Sequence, residues 1–595
     1  MAPTTAMSPV ATPANVVPSV PDSLLRRLTV EHLLYGLLTL AAIVARLIHV
    51  GAYPLAPVEA AAALRAWQAS QGLGAVLDAG SPLLFSLQTL TFFLAGATDG
   101  LARLWPLLAS AFLPWAIYGW RGWVGRPAAV LAAVLVTVSP LVNAFGRRSD
   151  GAVFVLFGLA LALAGWASLQ KGEGRGWVLA AVGTGILLIG GPAGPAALIA
   201  LTLVILFSRT DFSALPRPSL IHLVVLLAVA FVGGTAFLSR LDALGLTAVN
   251  WSEWLQGFTF SLNGWLWGLA RLIADDPLTV TGGLAGLVFC WRRSAVVRSF
   301  GLAALVVALL ATLQGPLAAG TRAVAGLLFA VPAAFVLLAL FRQAARLLRG
   351  QGDVNQIELL IFAAVLQILV VLTALSLINY AHDANRLWLI RLGVALAAIV
   401  IFVILFAWFI GQRPTLVITA MLASFNLGLL ALATTWGMAF DVTPPRYAAL
   451  YAANTRPGIY TLLDTMGDLS ERRHSGRWET PIALVTGSAG QDQAVLDTLH
   501  WYLRPARELR IVSSISLDDA PPLVVAPMNE PLPLSDLYSG METGIITHWQ
   551  PTDDASASNQ QQLRWLIFRT APWDIPTQPF VLWTDVATLT LSDTP

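Results

Sequence analysis

The stretch "RLIHVGAYPLAPVEAAAALRAW", from Arg46 to Trp67, decides how this chain is read. It ends an apolar run, turns through two prolines, and resumes as an alanine-rich run that carries one carboxylate, Glu59. The run before it, roughly 31–50, has the length and composition of a helix that crosses a bilayer. The run after it, with one Trp and a mixed surface, has the composition of a helix lying in the membrane interface. Glu59 therefore stands close to where a spanning helix leaves the lipid.

Working outward, the rest of the chain is of the same kind. Of 595 residues, 57% are hydrophobic and 11% charged, and the mean hydropathy is +0.72. A soluble domain carries about 25% charged residues. In lipid the backbone must satisfy its own polar groups, and continuous apolar runs do so as helices. The fold class is a polytopic α-helical membrane protein. The net charge of +2 gives no pull toward nucleic acid. The single cysteine, Cys290, forms no intrachain disulfide. The opening residues are rich in Pro, Ala, Ser and Thr and lack the basic-then-apolar order of a signal peptide. Residues 1–30 read as a disordered cytoplasmic tail.

Spans are expected at about 31–50, 103–120, 127–145, 151–168, 177–190, 193–208, 221–238, 278–290, 300–316, 323–341, 356–379, 386–410 and 416–440, about thirteen helices within a membrane domain at 31–440. Every second connection is basic: Arg26 and Arg27, Arg121 and Arg126, Lys171 and Arg175, Arg209 and Arg217, Arg292, Arg293 and Arg298, Arg342, Arg346 and Arg349, then Arg413. The positive-inside rule puts this set in the cytoplasm. The N-terminus is then cytoplasmic and the C-terminal segment extracytoplasmic. The order holds only if "SPLLFSLQTLTFFLAGATDG", from Ser81, lies on the outer face as a re-entrant or interfacial helix. Outer juxtamembrane helices are thus expected at about 55–100.

After Phe440 the composition shifts, and 441–595 reads as a C-terminal soluble α/β domain. Helical patterns at about 457–472 and 492–503 mix with strand signals in "PIALVTG", "LRIVSS", "PPLVVAP", "GIITHW", "LRWLIF" and "PFVLWT". Its tryptophans, Trp501, Trp549, Trp565 and Trp583, read equally as core residues and as a surface for a glycan or peptide.

Two acids share the outer face, Glu59 and the Asp150 of "GRRSD". Carboxylates there can act as a base toward an acceptor hydroxyl, and arginines such as Arg147, Arg148 and Arg322 can hold a phosphate. Each has a plainer reading: a solvated Glu59, an Asp150 that caps the next helix, and an Arg322 that anchors at the interface. No Walker loop, HExxH or CxxC is present.

The order of Glu59, Ser81-Pro82-Leu83, Arg103-Leu104, Ser139-Pro140 and Arg147…Asp150 resembles the N-terminal half of the GT-C membrane glycosyltransferases, the group of protein mannosyltransferases and aminoarabinose transferases. The resemblance covers about 35–170 well and the later helices loosely. It implies an inverting transfer of sugar from a polyprenyl-phosphate donor to a lipid, glycan or protein acceptor at the outer face. It implies catalytic roles for Glu59 and Asp150 and phosphate-holding roles for Arg147, Arg148 and Arg322. No cofactor is required, and a divalent metal is a further option. The family's acidic pair is incomplete here, because Val58 stands where the first acid belongs. The alternative is a non-catalytic GT-C-like scaffold or a flippase- or transport-associated protein.

Overall fold

Among the described residues three helices start with a capping oxygen directly before a proline, at Ser81-Pro82, Ser139-Pro140 and Asp276-Pro277. Proline at a helix start gives up an N–H that has no intrahelical partner anyway, while the side chain before it accepts a later one. The Ser81, Ser139 and Asp276 side chains accept from the N–H groups of Leu84, Val142 and Thr279. These starts organise the fold around the site.

The computed structural model describes residues 29–590 apart from 75–76, 78–79, 209–211, 259–261, 315–317, 350–354, 441–450, 452, 475, 487–492, 535–536, 549–557 and 570–576. The tail expected at 1–30, with Arg26 and Arg27, falls almost wholly outside the described residues, as do Arg209 and Trp549.

Helix α1 (Val30–Leu47) leads to α2 (Pro57–Ser70), α3 (Pro82–Ala95), the single turn α4 (Asp99–Ala102) and α5 (Leu104–Tyr118). Then come α6 (Arg121–Val124), α7 (Arg126–Val138), α8 (Pro140–Gly146), α9 (Ala152–Leu169), α10 (Gly176–Ile189), α11 (Gly194–Phe207) and α12 (Leu220–Gly234). The body closes with α13 (Gly245–Gln256), α14 (Leu262–Asp275), α15 (Pro277–Cys290), α16 (Ala295–Leu313), α17 (Ala319–Leu348), α18 (Gln356–Asp383), α19 (Arg386–Phe409) and α20 (Gln412–Phe440).

All thirteen apolar stretches are helical. Among the described residues seven helices are long and apolar enough to cross a membrane, or up to nine if each bent pair counts as one span. The bends are 61° between α7 and α8 and 102° between α14 and α15, each at a cap–proline pair. The remaining apolar helices are shorter, so the count of thirteen crossings is not reached by length alone. Helix α19 is apolar throughout beyond Arg391 yet buries none of its side chains, as a helix facing lipid does. The chain is an integral membrane protein.

The C-terminal part forms one six-stranded mixed sheet in the order β1 (Ala453–Thr455), β5 (Tyr538–His548), β6 (Thr577–Asp585), β4 (Leu523–Pro527), β2 (Ile482–Val485) and β3 (Leu509–Val512). β2 runs parallel to β3 and β4, and the other pairs are antiparallel. Helices α21 (Gly458–His474), α22 (Gln493–Leu503), α23 (Asn559–Phe568) and α24 (Val586–Thr590) accompany it.

One strand expectation is corrected: "LRWLIF" is the last part of helix α23. Its β-branched and aromatic residues imitate a strand, but Ser558 and Gln561 form a reciprocal capping box that starts a helix. The sheet and the juxtamembrane helices share one apolar core: Leu55, Leu64, Phe85 and Phe92 pack in the same cluster as Ile459, Leu462, Trp501 and Leu523.

Candidate functional site

Glu59 lies in the first turn of α2, where its carboxylate accepts from the Ala56 N–H at 2.9 Å. It is buried, not solvated, with 1% exposure. Arg103, just before α5, donates to it from Nη2 at 2.8 Å and from Nε at 3.4 Å. The same guanidinium donates to the carbonyls of Val50, Tyr53 and Pro54, so it fixes the turn that follows α1. The Ser149 N–H is a further donor to Glu59. Burial alone would raise the Glu59 carboxyl, but the charge and hydrogen bonds of Arg103, with the two backbone donors, hold it below its ordinary value. Val58, its neighbour, is 60% exposed.

The Ser149 contact brings Arg147–Asp150 onto the start of α2. Next to it Gly151 packs the loop against the end of α10 and the start of α3: a Cβ there would stand 2.1 Å from the Gly190 carbonyl and 2.3 Å from the Ser81 side chain. Asp150 accepts from the Ala152 N–H at 2.8 Å, the capping role, and pairs with Arg148 at 3.2 Å. Its side chain is 26% exposed, so it is the carboxylate of this pair that an incoming molecule can reach.

Arg148 lies over the Tyr451 ring at 3.6 Å. Its Nε and Nη1 are buried without a hydrogen-bond partner among the described residues. Burial lowers the Arg148 pKa, but Tyr451, Asp150 and Glu59 around it bring the net shift upward. Arg147 does something else. It donates to the carbonyls of Ala45, Arg46 and Ile48, closing the end of α1, a favourable place for a cation.

Arg322 belongs to a second cluster at the α14–α15 bend. Its Nε donates to Asp275 at 2.8 Å, and Arg569, from beyond α23, donates to the other oxygen at 2.7 Å. Arg271 and Arg569 both lie over the Trp565 ring, at 4.7 and 4.8 Å. Asp276 accepts from the Ser139 hydroxyl at 2.5 Å, which ties the two helix bends together. Helix α8, about 10 Å long at 1.5 Å per residue, runs from this bend to Arg147.

The sequence reading missed three partners. Arg103 was visible as a family motif without a role, and its pairing with Glu59 bridges 44 positions. Arg569 and Asp275 are 294 apart. Asp99 accepts from the Tyr460 hydroxyl, the Trp501 indole and the Tyr502 hydroxyl at 2.9, 2.9 and 2.8 Å. This joint docks the sheet on the body. Trp501 and Trp565 are both buried, which makes them core residues.

Among the described residues no three His, Cys, Asp or Glu side chains gather as metal ligands. The donor set around Glu59 is already cationic and backbone in origin, which does not fit a divalent ion.

No protein-family model matches the chain, and no curated protein matches it in sequence. Solved structures do. ArnT from Cupriavidus metallidurans in the apo state is 16% identical with a TM-score of 0.50, over 84% of this chain and 93% of that chain. The same protein bound to undecaprenyl phosphate is 14% identical with a TM-score of 0.51, over the same shares of 84% and 93%. The fold of this chain is that of ArnT.

Proposed function

We propose that this chain is a membrane glycosyltransferase of the GT-C type, which takes a sugar from a polyprenyl-phosphate donor at the face carrying the sheet. The acceptor is an envelope lipid, glycan or protein. The observation that carries this reading is the convergence of Glu59 and Arg148–Asp150 within an ArnT fold. ArnT binds undecaprenyl phosphate in that fold.

In this mechanism Asp150, the exposed acid, takes the proton from the acceptor hydroxyl as its oxygen attacks the anomeric carbon. The bond from that carbon to the phosphate oxygen breaks, the configuration inverts, and polyprenyl phosphate leaves. Arg148, paired with Asp150, sets its positive charge beside the departing phosphate. Glu59 is a positioning residue. Held ionised by Arg103, it fixes the Ser149 backbone between Arg148 and Asp150. The Asp275 cluster, rich in guanidinium, supports phosphate binding from the other end of α8 through Arg322 and Arg569.

The test is transfer from radiolabelled polyprenyl-phosphate hexoses and pentoses to envelope extract by protein in lipid. Wild type should transfer. Asp150→Asn should lose transfer while retaining donor binding. No transfer from any donor, with donor binding intact, overturns the reading. It would favour the second one, a GT-C-like body that binds lipid phosphate without chemistry. The specific observation behind that alternative is Val58, an exposed apolar residue where the family carries an acid. Val58→Asp would then be the variant in which transfer appears.

A further inference from the structure

Helices α15, α17 and α20 border a cavity of about 890 Å³. It runs from Leu278, just beyond the Asp276-Pro277 bend, to a mouth among the basic residues Arg293, Arg346 and Arg413 at the other end of α15. Helix α15 grips α17 through Gly283 and Gly286, where a Cβ on Gly286 would stand 2.0 Å from the Pro332 carbonyl. Beside that contact, small residues line the gap, Ala285 on α15, Ala339 on α17 and Ala420 and Ala423 on α20. They leave room that larger side chains would fill.

The lining runs from Arg413 to Leu427 on α20 and from Leu278 to Arg293 on and just beyond α15. At 1.5 Å per residue the groove is about 20 Å long, more than half of a hydrocarbon core about 30 Å thick. Its walls are apolar. At its mouth stand Arg293, Arg346 and Arg413, with Gln343, and no acidic side chain lines it. All three arginines are exposed, and none is in an ion pair among the described residues.

We infer that this cavity holds one anionic phospholipid, its acyl chain along α15 and α20 and its phosphate on Arg293, Arg346 and Arg413. The charge complementarity fixes the class. Guanidinium forks match phosphate oxygens, and a headgroup with its own cation would bring like charge to three arginines. The apolar length fixes the tail, because a free phosphate leaves the groove unfilled. The site does not depend on the proposed transfer reaction.

The experiment is native mass spectrometry of the full chain in detergent, titrated with phosphatidylglycerol or with phosphatidylcholine. Phosphatidylglycerol should be retained about tenfold or more over phosphatidylcholine, as three juxtamembrane arginines imply. Arg293→Gln/Arg346→Gln/Arg413→Gln should erase that preference. Arg126→Gln/Arg175→Gln/Arg217→Gln removes as much charge from the same end outside the cavity and should leave it intact. Ala285→Trp, which fills the groove and keeps the arginines, should also lower retention of phosphatidylglycerol. Equal retention of the two lipids, or equal loss in both triple variants, overturns the inference and leaves the arginines as topology signals. Retention of inorganic phosphate in place of the lipid overturns it too.

Discussion

At the scale of single residues, the pair Glu59–Arg103 and the acid Asp150 separate structure from chemistry. Removing one member of a buried ion pair strands the other charge, a loss of about 3–5 kcal/mol. Glu59→Ala should therefore lower the thermal midpoint in detergent sharply, whereas Asp150→Asn, at a partly exposed pair whose Arg148 keeps the Tyr451 ring, should lower it less and abolish transfer. A thermal shift series with both variants, read beside the transfer assay, checks this. The pair also sets an acid limit. The folded Glu59 carboxyl titrates below its ordinary value of 4.5, so its contribution is full above that value and is lost as the pH falls through the depressed folded one. The wild-type midpoint should fall on acidification below about 4.5, and the Glu59→Gln protein should show a flatter profile there. Glu59 was legible in the sequence as the residue of interest, because a carboxylate beside a span is rare. Its partner was not, because a pair 44 residues apart leaves no local periodicity.

At the scale of elements, the apolar runs were legible and their breaks and docking were not. The single span expected at 127–145 runs through Ser139-Pro140, where the structure ends α7 and starts α8 at 61° to it, and Ser139 and Asp276 bind each other across the two bends. Helix α23 was misread as well: "LRWLIF" has the β-branched and aromatic content of a strand, and only the Ser558 box three residues before Gln561 marks a helix. Asp99 sits in a turn of four residues with nothing unusual around it, yet it accepts from three aromatic donors of α21 and α22. Each buried donor left unsatisfied costs about 1–3 kcal/mol. Asp99→Ala should loosen the seating of α22, seen as faster amide hydrogen exchange over 493–503, with exchange in α9 and α17 unchanged. Exchange unchanged at α22 would mean that apolar packing alone seats the helix.

At the scale of the whole molecule, composition announced a membrane body and a change of character after Phe440, and both are present. What composition could not reveal is that the second part is not self-contained. Leu55, Leu64, Phe85 and Phe92 belong to the same apolar cluster as the sheet, so a fragment of 453–595 alone should expose that face and aggregate. Expressed without the helices it should fail to give a monomer by size-exclusion chromatography; a folded monomer would make the sheet an independent module. The Arg569–Asp275 contact carries one more consequence, for biosynthesis. Ribosomes deliver the chain from its N-terminus, so Asp275 waits beside Arg322 through the making of nearly three hundred further residues before Arg569 arrives. The Asp275 cluster of a nascent chain is thus incomplete while the helices before Arg569 are inserted, and its pairing closes only after most of the sheet has been made.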